Sequence, residues 1–138
     1  MYGITGNFDI GCLNDLYLSE IGVGMYQVAL RFQKRDSSGR DTAIYIRGGF
    51  SISDNRDNSS EYQADCAIGL ANWSEHERGL IFPLIKLLGR HVCGVEVQRE
   101  RGSIKLKFDE GSDLTILDSN APQFESFEIR HGDDFYIV

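Results

Sequence analysis

The chain has 138 residues, which is enough for one ordinary hydrophobic core and excludes two independent catalytic domains. Hydrophobic residues make up 41% and charged residues 25%, a balance that excludes a disordered tail, a fibre and a disulfide miniprotein. The 14 basic and 21 acidic residues give a net charge of −7, which disfavours nonspecific binding to nucleic acid or anionic membranes and favours a basic partner.

The sequence has no feature of membrane insertion or secretion. No stretch approaches the roughly 18 apolar residues of a membrane span, and no basic segment precedes an apolar one at the N-terminus. Cys12, Cys66 and Cys93 are an odd number of widely spaced cysteines in segments that otherwise have the pattern of core. We therefore expect a single cytosolic domain over residues 1–138 with three reduced, buried and unreactive thiols.

Alternating apolar and polar residues predict strands through most of the first half. These strands are Leu16–Ile21, Met25–Phe32, Thr42–Ile46, Phe50–Ser53 and Tyr62–Ile68. The first two are expected to be joined flexibly through Gly22–Gly24, and the polar stretches 33–41 and 54–60 are expected to be exposed loops.

Residues 75–88 break the strand pattern and predict the one central helix. Ser74 and Glu77 have the spacing of a capping box, in which each side chain accepts a hydrogen bond from the other residue's backbone amide. Apolar residues then recur at intervals of three and four up to Gly89, which suits a left-handed cap. Because Pro83 cannot donate to the residue four positions back, we expect either a kink or a first helical turn followed by a shorter helix with Pro83 in its first turn.

Strand patterns return after the helix and continue to the C-terminus. These strands are Val92–Gln98, Ile104–Phe108, Leu114–Leu117, Phe124–Ile129 and Phe135–Val138. Turn residues separate them, so we expect a meander of short antiparallel strands. The predicted fold class is α+β, with about nine mostly antiparallel strands in hairpins and one central helix.

The two halves of the chain have matching patterns. Val28–Phe32 and Phe50–Ile52 in the first half resemble Ile104–Phe108 and Phe127–Ile129 in the second, at an offset of about 76 residues. An internal duplication would give two hairpin-based sheets, or two halves of one sheet, covered or bridged by the helix. Two unrelated hairpins of similar composition would give the same alternation.

Acidic charge is concentrated in two segments. Residues 54–77 carry six acids and one base, and residues 108–138 carry eight acids and one base. If these loops lie at one end of the sheet, they form a face that attracts a basic partner; a solvated surface that keeps the protein soluble is the plainer interpretation. The residues predicted to contact a partner are Asp54, Asp57, Glu61, Asp65, Asp109, Glu110, Asp113, Asp118 and Glu125.

The sequence lacks the motifs of common catalytic and cofactor sites. It has no phosphate loop, dinucleotide glycine fingerprint, nucleophile elbow or zinc spacing, and residues 109–113 lack the ligand order of a calcium loop. His91 and Cys93 share one face of a strand, but no orienting group or oxyanion hole accompanies them. We therefore expect no catalytic residue, no metal and no cofactor, and neither nucleic acid nor membrane as a partner.

From Leu84 to Val138, about 40% of the chain, the sequence resembles small bacterial proteins. The stretches that carry the resemblance are Leu-Leu-Gly-Arg-His-Val at 87–92, Ile-Lys-Leu-Lys-Phe-Asp-Glu-Gly-Ser-Asp-Leu at 104–114 and Phe-Glu-Ser-Phe-Glu-Ile at 124–129. Several of these proteins are immunity proteins of polymorphic or contact-dependent growth inhibition toxin systems. The resemblance implies a non-enzymatic cytosolic protein that binds and neutralises a cognate toxin domain. It transfers no contact residues, because immunity surfaces are tailored to individual toxins.

The residues are compatible with this implied function. A toxin that attacks nucleic acid needs a cationic groove, which carboxylates can occupy where phosphates would lie. A tight complex also needs aromatic side chains that anchor it. Five aromatic residues could serve as anchors or belong to the core instead: Tyr62, Trp73, Phe124, Phe127 and Tyr136. An unprotected edge of the C-terminal strand would offer main-chain pairing as another route. The expected function is toxin neutralisation by direct occlusion; the alternative is a small-molecule-binding or enzymatic domain with a pocket between helix and sheet.

Overall fold

The computed structural model describes residues 10–36, 41–54, 61–98, 102–118, 126–132 and 134–137. Within them, ten strands form two antiparallel five-stranded sheets, with the order β1-β2-β3-β9-β10 in the first sheet and β5-β4-β8-β7-β6 in the second. The strands are β1 Tyr17–Val23, β2 Val28–Gln33, β3 Thr42–Ile46, β4 Gly49–Asp54, β5 Glu61–Asp65, β6 Val92–Gln98, β7 Ser103–Phe108, β8 Ser112–Ile116, β9 Phe127–His131 and β10 Asp134–Ile137. The predicted α+β class with mostly antiparallel strands is confirmed.

The helical segment lies between β5 and β6 and consists of α1 Glu75–Arg78 and α2 Ile81–Ile85. The capping box is confirmed: the Glu77 amide donates to the Ser74 hydroxyl at 3.1 Å, and the Ser74 amide donates to the Glu77 carboxylate at 3.2 Å. Pro83 lies in the first turn of α2, as one of the two predicted arrangements required. No helix in the described part of the chain is long and apolar enough to cross a membrane.

Several predicted strand limits are corrected by local hydrogen bonds. β1 continues to Val23, and the Gly24 amide donates to the Gln27 carbonyl at 2.9 Å, so the chain reverses in a tight turn over residues 24–27 and not through a flexible junction at Gly22–Gly24. The strand predicted to reach Ile68 ends at Asp65, because the Asp65 carboxylate accepts from the Ala67 amide and begins a 3-10 turn at Cys66–Ile68.

The predicted C-terminal meander is wrong beyond β8. Among the strands after the helical segment, β6, β7 and β8 pair in succession as a meander. β9 instead pairs with β3 in the opposite sheet. In the same way, β4 does not pair with β3, its neighbour in the chain, but with β8. Each sheet therefore contains three strands from one half of the chain and a hairpin from the other half.

The pairing registers of the two halves are equivalent, so the predicted match between the halves is present in three dimensions. β1 pairs with β2 through an irregularity between Leu18 and Glu20, and β6 pairs with β7 through the same irregularity between Val92 and Gly94. Phe50 of β4 pairs with Ile116 of β8, and its counterpart Phe127 of β9 pairs with Ile46 of β3. Of the two arrangements expected from a duplication, the structure has the one with two separate sheets.

Where the two halves meet, equivalent residues pair with each other. Tyr17 forms an antiparallel bridge with His91. The Val92 amide donates to the Leu16 carbonyl at 2.9 Å, and the Leu18 amide donates to the Arg90 carbonyl at 3.0 Å. Around this bridge, residue n of the first half corresponds to residue n + 74 of the second, since 91 − 17 = 74 and 92 − 18 = 74. Equivalent residues that pair with each other define a local twofold axis, here at the Tyr17–His91 bridge.

The two halves contribute equivalent residues to the core between the sheets. The largest fully buried side chains include Phe32 and Phe50 in the first half and their counterparts Phe108 and Phe127 in the second. Leu80 and Leu84 of the helical segment, and Trp73 just before it, are buried in the same cluster. One core built from both halves means that neither half can bury its apolar residues alone.

Glu128 on β9 is held between two arginines. Its carboxylate accepts from Arg47 at 3.2 Å and from Arg130 at 2.6 Å, and its side chain is only 7% exposed. The Arg130 guanidinium also lies 5.3 Å from the centre of the Tyr45 ring. Burial by itself raises the pKa of Glu128, but the hydrogen bonds from Arg130 and Arg47 outweigh it and hold the pKa below its ordinary value.

A lowered carboxyl pKa in the folded state stabilises the fold above the ordinary pKa, and this stabilisation is lost as the pH falls through the folded-state pKa. We expect Glu128→Gln to lower the free energy of unfolding at neutral pH by roughly 1–2 kcal/mol and to weaken its acid dependence below about pH 4. Urea denaturation across this pH range measures both effects. The control is Glu20→Gln, whose exposed carboxylate lies 3.9 Å from Arg31. Equal acid dependence of Glu128→Gln and the unsubstituted protein would contradict the prediction.

Candidate docking surface

The predicted acidic contacts do not lie at one end of a sheet. At one end of the β4–β8 pair, Asp54 pairs with Ser112, next to Asp113. At the other end, Asp65 pairs with Gly49, and Asp118 follows β8. The two ends are five residues apart along β4, or about 17 Å. Glu61 lies on β5 opposite Ser53. Asp57 and Glu125 lie outside the described residues.

The acids near the turn after β7 lie among bases of the same chain. Asp109 accepts a hydrogen bond from the His91 amide at 3.1 Å, and Glu110 forms an ion pair with Arg90 at 3.2 Å. Asp113 pairs with Lys107 in the β7–β8 register. Lys107 forms a further ion pair with Glu96 at 2.6 Å. Arg90 and Lys107 therefore offset part of the acidic charge at this end of the sheet, which we call the compensated end.

The acids at the other end line a groove of about 360 Å³ between α1 and the second sheet. Its described lining includes the carboxylates of Asp65, Glu77 and Asp118 and no basic residue. Asp65 accepts from the Ala67 amide, Glu77 from the Ser74 amide and Asp118 from the Ser126 hydroxyl at 2.9 Å. The donors to Asp65 and Glu77 are neutral backbone amides, so these hydrogen bonds leave the charge of both carboxylates in place. We call this groove, with the carboxylates of Asp65, Glu77 and Asp118 in its lining, the acidic groove.

The helical segment that forms one wall of the acidic groove exposes a row of apolar side chains. Residues 80–88 contain a single polar residue, Lys86. Leu80, Leu84 and Leu87 of this run point into the core and are buried. Phe82 is 72% exposed, Ile85 46% and Leu88 41%. A helix that is apolar on all sides is normally buried on all sides, and we call Phe82, Ile85 and Leu88 the outer row.

The local twofold relation shows that the fold does not need the outer row. The buried Leu84 and Leu87 correspond to the buried Ile10 and Leu13, so the inner positions are apolar in both halves. The exposed Ile85 and Leu88 correspond instead to Gly11 and Asn14. The backbone is the same at both places, because the Leu88 amide donates to the Ile85 carbonyl and the Asn14 amide to the Gly11 carbonyl, each at 3.0 Å. The same turn thus forms without exposed apolar side chains.

The aromatic anchors expected from sequence do not form this surface. Trp73 and Phe127 are buried in the core, and the Trp73 indole N–H donates to the Asp65 carbonyl at 2.9 Å. Phe124 lies outside the described residues, and Tyr62 and Tyr136 lie on the edge strands β5 and β10. Phe82, the most exposed large hydrophobic residue described, was missed. The signal that could have found it is the run 80–88, which is longer and more apolar than one buried helix face requires.

The cysteines differ from their predicted uniform burial. Cys66 is buried, Cys12 half-buried and Cys93 exposed. Burial, together with the negative charge of Asp65, raises the pKa of the Cys66 thiol to about 12, so it stays protonated at neutral pH. Cys93 lies in the irregular part of β6, where the bulge turns it to solvent. In the described ranges, no three His, Cys, Asp or Glu side chains are grouped closely enough to hold a metal ion.

The comparisons with known proteins add no relative. No family model matches the chain, and no curated protein or solved structure matches it either.

Proposed function

We propose that this protein is a cytosolic, non-enzymatic inhibitor of the immunity-protein class, which binds a basic toxin domain and blocks it by direct occlusion. The observation that carries the proposal is the outer row, exposed on a helical segment that also forms a wall of the acidic groove. Exposed apolar side chains beside a surface of one charge are typical of a protein docking site.

The two features have different physical roles in binding. The three carboxylates of the acidic groove attract a cationic surface before contact and raise the association rate, an effect that salt screens. The outer row supplies the apolar area that loses water in the complex, and an exposed phenylalanine at its start can fill a pocket of the partner. Charge alone would bind many cations weakly, so the apolar row provides the affinity.

The proposal is tested by co-expressing the protein with the product of the adjacent open reading frame. The expected result is a stable complex on purification and restored growth of cells that carry the toxic neighbour. A toxic neighbour that is neither bound nor neutralised would overturn the proposal. Binding of a small molecule in the acidic groove, without any protein partner, would favour the alternative of a pocket between helix and sheet.

A pair of matched variants separates the acidic groove from the compensated end of the sheet. Glu77→Gln with Asp118→Asn removes two charges and keeps hydrogen-bonding side chains in place, since glutamine also serves in a capping box. We expect roughly tenfold slower association and a weaker salt dependence, measured by stopped-flow mixing. The control, Asp109→Asn with Asp113→Asn, changes the net charge equally at the compensated end. Equal slowing by both pairs would mean that only the overall charge matters.

A further inference from the structure

Seven large hydrophobic side chains are exposed in the part of the chain that the structure describes, and the outer row accounts for three of them. The other four lie at the tip of the β1–β2 hairpin and on the 3-10 turn that follows β5. Val23, Met25 and Tyr26 are each more than half exposed, and Ile68 is nearly half exposed. We call these four residues the neutral patch. They do not belong to the outer row or to the lining of the acidic groove.

Direct contacts hold the two segments of the neutral patch together. The Leu70 amide donates to the Met25 carbonyl at 2.6 Å. The Tyr26 ring lies against Gly69, where an added Cβ would come within 3.0 Å of the ring atom Cε1. Gly69 also has φ +83°, a conformation that favours glycine. The hairpin tip and the turn therefore form one surface, with Ile68 next in the chain to the glycine that the ring covers.

The neutral patch has no charge of its own, in contrast to the acidic groove. Residues 21–30 and 66–73, which contain it, include no charged residue, although charged residues make up 25% of the chain. Glu20 and Arg31, which border it on the hairpin, lie 3.9 Å apart and offset each other. An apolar centre with a polar border is the usual composition of a protein interface.

The other half of the chain shows that the hairpin does not need apolar residues at its tip. The pairs Val23–Val28 and Gln98–Ser103 each enclose four residues. These are Gly-Met-Tyr-Gln at 24–27 and Arg-Glu-Arg-Gly at 99–102, so the second hairpin has three charged residues where the first has none. A turn of this length can be built from charged residues, and the exposed apolar tip is not a requirement of the hairpin.

We propose that the neutral patch is a self-association face, which binds the same patch on a second copy of this chain around a twofold axis. Each copy carries a net charge of −7, so two copies repel each other and approach most easily where neither is charged. A basic partner gains no electrostatic attraction from an uncharged surface, whereas an apolar surface is complementary to itself. The patch is separate from the candidate docking surface, so the proposal goes beyond the inhibitor function and does not depend on it.

The size of the neutral patch predicts a weak dimer. Four apolar side chains from each copy form the centre of a small interface, at the low end of specific interfaces, which bury less than about 1,200 Å² in total. We therefore expect monomer and dimer to coexist at micromolar concentrations. Salt strengthens this dimer because it screens the repulsion between the two copies. The sign is opposite to the effect of salt on binding of a basic partner.

Sedimentation equilibrium of the full-length protein, from about 5 to 500 µM, measures the association. The expected result is a monomer–dimer equilibrium whose dissociation constant falls about threefold or more between about 50 and 500 mM sodium chloride. A protein that stays monomeric at every concentration, or a dimer that salt weakens, would overturn the proposal. If the monomer instead binds neutral phosphatidylcholine vesicles, and Met25→Asp abolishes that binding, the patch is a lipid-binding surface and the dimer is rejected.

Matched charge insertions locate the contact. Met25→Asp and Ile68→Asp, one in each segment, bring a charge into the apolar contact and add repulsion between the copies, so each is expected to weaken the dimer at least about tenfold. Leu88→Asp, in the outer row, changes the net charge equally and should leave the dissociation constant within about twofold. All three side chains are exposed, so the variants are expected to fold, which circular dichroism checks.

The two insertions in the neutral patch are independent of each other, because they lie in different segments of the chain. If one of them does not fold, the other decides. An unaltered dimer in the folded variants of the patch, or a dimer that only Leu88→Asp disrupts, would reject the neutral patch as the contact. Neither result bears on the complex with a basic partner, which is measured separately.

Discussion

Phe82→Ala is expected to weaken binding of the basic partner by about 30-fold to 1,000-fold, equivalent to roughly 2–4 kcal/mol. Phe82 is 72% exposed, so its side chain contributes little to the stability of the isolated fold. We therefore expect the free energy of unfolding to change by less than about 0.5 kcal/mol. Surface plasmon resonance measures the affinity, and urea denaturation measures the stability.

Two further variants make this prediction specific. Leu88→Asn introduces the residue that the equivalent turn has at Asn14, and it should weaken binding with little effect on stability. Met25→Ala truncates another exposed apolar side chain, 59% exposed, in the turn between β1 and β2, and should leave the affinity unchanged. Full affinity in both Phe82→Ala and Leu88→Asn would mean that the outer row is not the docking site.

Phe50→Ala and Phe127→Ala are each expected to lower the free energy of unfolding by about 3–5 kcal/mol. Both rings are fully buried at equivalent places in the two sheets, so each truncation removes apolar contacts and leaves a cavity. The loss is a large part of the 5–15 kcal/mol that typical domains have. Chemical denaturation followed by fluorescence and circular dichroism measures it, with Phe82→Ala as the exposed control.

The same experiment tests the exchange of hairpins between the halves. Since β4–β5 completes the sheet of β6–β8, and β9–β10 completes the sheet of β1–β3, damage to either sheet withdraws strands from both. Phe50→Ala and Phe127→Ala should therefore each unfold in one transition, with both spectroscopic signals changing together. Two separate transitions, one for each half of the chain, would show that the halves are independent.

Much of the local structure was predictable, because its causes are close together along the chain. The limits of β3 and β6 agree with the alternation of apolar residues, and the Ser74–Glu77 capping box needs only a spacing of three. The match between Val28–Phe32 and Ile104–Phe108 also appears in the sequence, since a repeated fold repeats its buried positions.

The partners of the strands were not predictable in the same way. No local sequence feature near Phe127 indicates that β9 pairs with β3 and not with β8, its neighbour in the chain. The pairing depends on which arrangement lets both sheets share one core, and that is a property of the whole chain. The error in the C-terminal meander has this origin.

The candidate docking surface was half predictable. Asp65 and Asp118 are acidic in the sequence and line the groove in the structure, but the sequence does not show that Arg90 pairs with Glu110, because that contact forms only in the fold. The outer row was missed because a periodic apolar pattern does not say which of its residues face inward.

The sequence by itself determined the strand-rich class, the helix start, the match between the two halves and the negative net charge, because composition, capping and short-range periodicity set these properties locally. Only the tertiary structure decided that the halves exchange hairpins, that the acids divide between a compensated end and the acidic groove, and that Phe82 faces outward. These outcomes depend on contacts between residues far apart in the chain, which form only where the shared core excludes water.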